Sequence, residues 1–234
     1  MTQLLRAESA DDLRCKLALL RIDVSPRSAG RTKEQTERFS IAHLLASLPP
    51  DRLAFPLTVE HRDRPDCVVT SNGSSIGIEL TEAISENVAR ASVLRQAGVG
   101  PSVYFIPRAL PGEPSKSTAE LRREIELDKA GPPWIGDEPE REWAAAMLHF
   151  TTVKVEKAHK AGYSLHRRNW LLIYDNWSLP RVHYAEASAI LAAKCSEANV
   201  FATFDRVFVL GSKLLCEVGK TVQIHEVRSP RVES

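Results

Sequence analysis

The chain has 234 residues, of which 43% are hydrophobic and 26% charged, which excludes global disorder and leaves room for one substantial domain rather than two. With 31 Lys+Arg against 30 Asp+Glu the formal charge is +1, so no whole-molecule field draws it to a polyanion and any nucleic acid must be gripped by a local patch. No apolar run approaches the roughly 20 residues of a membrane span, and the start Met1–Arg6 lacks a secretory charge-then-apolar pattern; a cytoplasmic location without membrane contact is expected.

The first helix is predicted over Glu8–Leu20, where Leu13, Leu17 and Leu20 recur at helical spacing. Thr32 stands as N-cap of a second, running to Leu48 before Pro49-Pro50, with Glu34 and Glu37 in its early turns. Short strands follow at Leu57–Glu60, Cys67–Val69 and Ile76–Thr81, the last two joined by a hairpin at Asn72-Gly73. Alternation puts Ile76, Ile78 and Leu80 on one face, and Gly77, Glu79 and Thr81 on the other. A helical run Glu82–Gln96 leads to a strand Val103–Ile106. Loops at Pro107–Ser117 and Gly131–Glu140 flank a helix near Thr118–Lys129, and this middle third reads as an insertion. A long helix Glu142–Gly162, a buried strand Trp170–Tyr174, an Ala-rich helix Tyr184–Cys195, a strand Arg206–Leu210 and a hairpin across Gly219 (Leu214–Glu217, Thr221–Val227) complete the pattern, with Arg228–Ser234 a loose tail. The pattern is α/β.

Cys15, Cys67, Cys195 and Cys216 form no CxxC pair and are expected as reduced thiols. No GxGxxG or GxxxxGK loop is present, which argues against nucleotide-binding folds, and the GxSxG letters of Gly73-Ser74-Ser75-Ile76-Gly77 fall in the expected hairpin, not on the strand-to-helix turn that a serine-hydrolase elbow needs. The chemical signal is acidic. Asp66 opens one strand and Glu79 lies in its hairpin partner, so both carboxylates can converge where register and face agree, and a divalent cation would relieve their repulsion. Oxygen ligands favour Mg²⁺ or Mn²⁺ and suit phosphoryl chemistry. The alternative is a turn aspartate and a solvated or salt-bridged glutamate. Gly77 allows a close backbone approach beside Glu79.

Pro65-Asp66 and Ile78-Glu79-Leu80-Thr81, after an acidic helix and before a helix and strand, resemble the restriction-endonuclease-like, PD-(D/E)xK nuclease superfamily. The resemblance implies an αβββαβ core with a mixed central sheet flanked by helices, in a single domain. That core would span about residues 32–210, with a helical insertion near 107–140 and a C-terminal hairpin near 213–227. It implies that Asp66 and Glu79 bind Mg²⁺ or Mn²⁺ and that Glu37, ahead of Glu34, adds a third carboxylate. The motif lysine is replaced by Thr81, which carries no charge. Some members of the superfamily take that charge from the following helix, where Lys154, Lys157 and Lys160 stand, Lys157 being the first choice. The implied activity is metal-dependent hydrolysis of DNA phosphodiesters, as an endonuclease or exonuclease; the alternative is an inactive nuclease-fold protein that binds nucleic acid or a protein partner.

Thr151–Arg168 carries five cations against Glu156, so Lys154, Lys160, Arg167 and Arg168 are candidate phosphate contacts, unless they form an ordinary solvated face. Tyr163 and Trp177 are candidate stacking residues, while Trp170 reads as core. Asp175 suits either a site at a strand end or a turn, and the dispersed histidines define no metal set, His43 reading as packed. A homodimer through the insertion would suit symmetric duplex recognition.

Overall fold

A computed structural model describes residues 2–20 and 22–231, in which an eight-stranded mixed sheet is flanked by six helices. The helices are α1 (Ala10–Ala18), α2 (Lys33–Ser47), α3 (Glu86–Gln96), α4 (Thr118–Leu127), α5 (Glu138–Ala158) and α6 (Tyr184–Glu197). The strands are β1 (Thr2–Ala7), β2 (Leu57–His61), β3 (Cys67–Ser71), β4 (Ser74–Ala83), β5 (Arg168–Asp175), β6 (Arg206–Leu210), β7 (Leu214–Val218) and β8 (Val222–Glu226). They lie side by side in chain order. The pairs β4/β5 and β5/β6 are parallel and the others antiparallel.

Local chemistry accounts for the framework. A capping box closes the start of α2: Thr32 accepts from the Gln35 amide while Gln35 accepts from the Thr32 amide. Asn72 and Gly73 both take positive φ, 46° and 72°, as a tight hairpin turn between twisted strands requires. The side-chain alternation of the central strands separates two cores. Ile76, Ile78, Leu80, Trp170, Leu172 and Phe208 pack under α1 and α2. Leu171, Ile173, Val207 and Val209 pack on the opposite face against Trp143, Ala144 and Met147 of α5 and Ala187 and Leu191 of α6. Cys67, Cys195 and Cys216 are buried, Cys15 is exposed, and all four are free thiols.

Four expectations need correction. Strand β1 was not anticipated; it joins β2 through a sequence that is half polar and in which only Leu5 and Ala7 are buried. Strand β4 continues to Ala83, because its parallel ladder with β5 runs as far as Ala83 opposite Asp175; helix α3 therefore starts at Glu86, not Glu82. Val103–Ile106 is no strand: it finds no ladder partner and leaves Val103 85% exposed. Trp177 is not an exposed platform; it is 8% exposed and packs edge-on to Phe150. Trp170 is buried against Phe208. Of the expected tail, residues 232–234 lie outside the described residues. No described helix is long and apolar enough to cross a membrane.

Candidate functional site

Antiparallel pairing of β3 with β4 ends with Cys67 opposite Ile78, and Asp66 and Glu79 are the residues that adjoin this last pair. Both carboxylates come within reach of Lys154 of α5, and both residues are almost fully buried, at 1% and 2% exposure. Asp66 follows a cis Arg64–Pro65 bond, and its Oδ2 accepts from the Leu80 amide at 2.7 Å, which pins the carboxylate to the partner strand. Gly77 is needed two residues before Glu79, though for packing: a Cβ there would stand 2.7 Å from His166 Cδ2 and 3.1 Å from Pro65 Cγ.

A single ammonium joins the two acids. Lys154 Nζ lies 2.7 Å from Glu79 Oε1 and 3.8 Å from Asp66 Oδ2, with the lysine itself only 8% exposed. A second ammonium extends the row: Lys33 Nζ is 2.9 Å from Asp66 Oδ1 and 2.8 Å from Glu37 Oε1. His61 Nε2 sits 2.7 Å from the other oxygen of Glu37, and the Tyr163 hydroxyl donates to Glu79 Oε2 at 3.0 Å. Five charged groups thus alternate in sign as Glu37, Lys33, Asp66, Lys154 and Glu79. Partial burial opposes the charge on Lys33, but its hydrogen bonds to Glu37 and Asp66 outweigh that and raise its pKa, so it stays protonated. Burial and the neighbouring Glu79 likewise push the Tyr163 phenol up, which keeps it a donor.

The ammonium beside the carboxylates belongs to Lys154 and not to Lys157. Lys157 and Lys160 are exposed, because successive three-residue steps turn around the helix while Trp143, Met147, Thr151, Lys154 and Ala158 make its buried face. For the same reason Lys154 does not belong to an exposed basic stripe with Lys157 and Lys160. Lys160 and Arg167 do lie exposed in the connection between α5 and β5, where the Arg64 guanidinium approaches Gly162. Arg168 stands apart, stacked over Trp170 beside the turn between β3 and β4. Glu34 points away and pairs with Arg38. Asp175 is a structural corner that accepts from Trp143 Nε1 at 2.7 Å and from the Trp177 amide at 3.0 Å; burial raises its pKa. His43 packs on Phe39.

Lys33, His61 and Tyr163 were not singled out as partners of the acids. The i,i+4 spacing of Lys33 and Glu37 is a sequence signal for one of these contacts; the other two join distant segments and leave no local trace.

A cavity of about 300 Å³ opens beside the row, between the segment preceding α2, the end of β4 and Lys154. Among the described residues no group of three or more His, Cys, Asp or Glu side chains is arranged to hold a metal. The donors available to a cation are carboxylate oxygens, a hard set that suits Mg²⁺ or Mn²⁺, and ammonium groups now stand between them. Comparison of the chain with protein-family models, curated proteins and solved structures finds no match.

Proposed function

We propose that this protein is a metal-dependent phosphodiester hydrolase acting on DNA, built on a restriction-endonuclease-like core. The observation that carries the reading is the Lys154 ammonium in reach of both Asp66 and Glu79, a buried cation supplied by a helix where the strand offers only Thr81. The order α2, β2, β3, β4 and, after α3 and α4, α5 and β5, with β4 and β5 parallel, supports the core topology.

Asp66 and Glu79 would hold Mg²⁺ or Mn²⁺, which when bound supplies Lewis-acid polarisation of the phosphate and a more acidic water. The chain's own groups have defined tasks. Lys154 is placed to orient a water and to offset negative charge developing on the phosphate. Tyr163 fixes the rotamer of Glu79 through its hydrogen bond. Glu37, tied to His61, holds Lys33 against Asp66.

The test is cleavage of supercoiled, linear and single-stranded DNA with Mg²⁺ and with Mn²⁺. Wild type should cut, while Asp66→Asn and Lys154→Met should lose cleavage with their circular dichroism intact. A wild-type protein that cuts none of these substrates overturns the reading. A second reading, binding without catalysis, is favoured by Thr81 and by the pairing of every acid in the row with a cation; DNA retention without cleavage would establish it.

A further inference from the structure

We propose that the cavity beside Lys154 is a receptor for a terminal phosphate, so that the substrate is engaged by a phosphorylated strand end. The inference deepens the hydrolase reading and rests on it for the role of the site, although binding can be tested by itself.

Four cations, Arg27, Arg31, Lys33 and Lys154, line the cavity against two carboxylates, Glu37 and Glu82. Glu82 lies at the end of β4 and is shared: Arg27 donates to it, Arg31 Nη1 stands 3.6 Å away and the Asn176 amide also donates. Arg31 is the informative group. Its Nε donates to Thr36 Oγ1 at 3.0 Å and its guanidinium lies 5.6 Å from the Tyr174 ring centre, which fixes its plane. Its Nη2 is buried and has no acceptor among the described residues. A guanidinium nitrogen withdrawn from water without an acceptor is costly, which leaves Arg31 an unmet donor in the wall of the cavity.

Charge selects the kind of oxygen. The side chains lining the cavity carry two more cations than anions, a surplus that Lys33 and Lys154 share with Asp66 and Glu79 behind them, and a phosphomonoester brings about −1.5 to −2 near neutral pH, whereas an internal diester brings roughly −1. Planar guanidinium donors also match phosphate oxygens. The cavity shares Lys33 and Lys154 with the acidic pair, so a phosphate there lies one side chain away from Asp66.

The experiment is fluorescence anisotropy of the full chain in EDTA. It uses one single-stranded DNA sequence carrying a 5′-phosphate, a 3′-phosphate or hydroxyl groups at both ends. One phosphorylated form should bind at least about tenfold tighter than the hydroxyl form, and which one does so gives the polarity. Inorganic phosphate should compete for that form alone. Arg31→Met and, independently, Arg27→Met should erase the preference, while Arg122→Met on α4 should keep it; thermal melting identifies any variant that has unfolded. Equal binding of all three ends, or a preference that survives in folded Arg31→Met and Arg27→Met, overturns the receptor. Cleavage of closed circular DNA without an end preference would sink the receptor and keep the hydrolase. An end preference without cleavage in Mg²⁺ or Mn²⁺ would support the receptor and reject the hydrolase.

Discussion

Replacing Lys154 by Met keeps the length and apolar stem of the side chain and removes only the ammonium between Glu79 and Asp66. Breaking a buried ion pair from one side costs roughly 3–5 kcal/mol, since the remaining charge stays out of water uncompensated. The carboxylates are not abandoned here: Asp66 retains Lys33 and the Leu80 amide, and Glu79 retains the Tyr163 hydroxyl. The lower end, about 3 kcal/mol, is therefore expected, or a fall in Tm of about 6–12 °C for a chain of this size. Urea unfolding followed by circular dichroism measures it. In a double-mutant cycle with Glu79→Gln, the pair of changes should cost about 1–3 kcal/mol less than the two single costs together. Millimolar Mg²⁺ or Mn²⁺ should also raise the Tm of Lys154→Met more than that of wild type, because a cation then meets two acids without competition from the ammonium. A single variant within about 0.5 kcal/mol of wild type would refute the argument, because the bridge would then be solvated in fact.

Gly77→Ala puts a methyl 2.7 Å from His166 Cδ2; about 1–3 kcal/mol of destabilisation should appear in urea titrations, and a neutral result would mean that the loop before β5 yields freely. Lys157→Ala, at an exposed position without a carboxylate partner among the described residues, should leave stability within about 0.5 kcal/mol and DNA cleavage unchanged, whereas a severe loss of turnover would give it the role assigned to Lys154. Burial holds the His43 pKa below the ordinary 6.5, so its neutral ring is the form the fold prefers. Its contribution is whole above the unfolded pKa and declines as pH falls below it, when the unfolded chain takes up the proton first. His43→Gln should flatten the dependence of unfolding free energy on pH through that window, and matching slopes in both proteins would contradict it.

What could be read in advance was what short-range chemistry dictates. Thr32, Asn72-Gly73 and the apolar run Trp170–Tyr174 announce a cap, a turn and a buried strand with little help from distant residues. Asp66 and Glu79 were legible as neighbours because a hairpin makes their pairing nearly local. Strand β1 was hidden, since an edge strand needs few apolar residues and its partner lies some fifty positions away. The β-prone Val103–Ile106 misled for the converse reason: its composition fits a strand, but no described strand forms a ladder with it, and its Phe105 amide goes instead to the Asp128 carboxylate. The choice between Lys154 and Lys157 was readable from the helix itself, because extending Trp143, Met147 and Thr151 at helical spacing lands on Lys154. Glu37 meeting His61, and Tyr163 meeting Glu79, required the assembled tertiary structure.

The order of the strands also bears on how the molecule is made. Each strand leaving the ribosome finds the open side of the one synthesised before it, and none must be threaded between two already joined. Glu79 of the β3–β4 hairpin, however, emerges well ahead of its counter-ion: it precedes Lys154 by 75 residues, whereas Lys33, the partner of Asp66, is already made. At roughly 5–20 residues per second this is an interval of about 4–15 s, during which the nascent hairpin carries the Glu79 carboxylate without α5 to cover it and must keep it in water. Closure of that face awaits the arrival of α5.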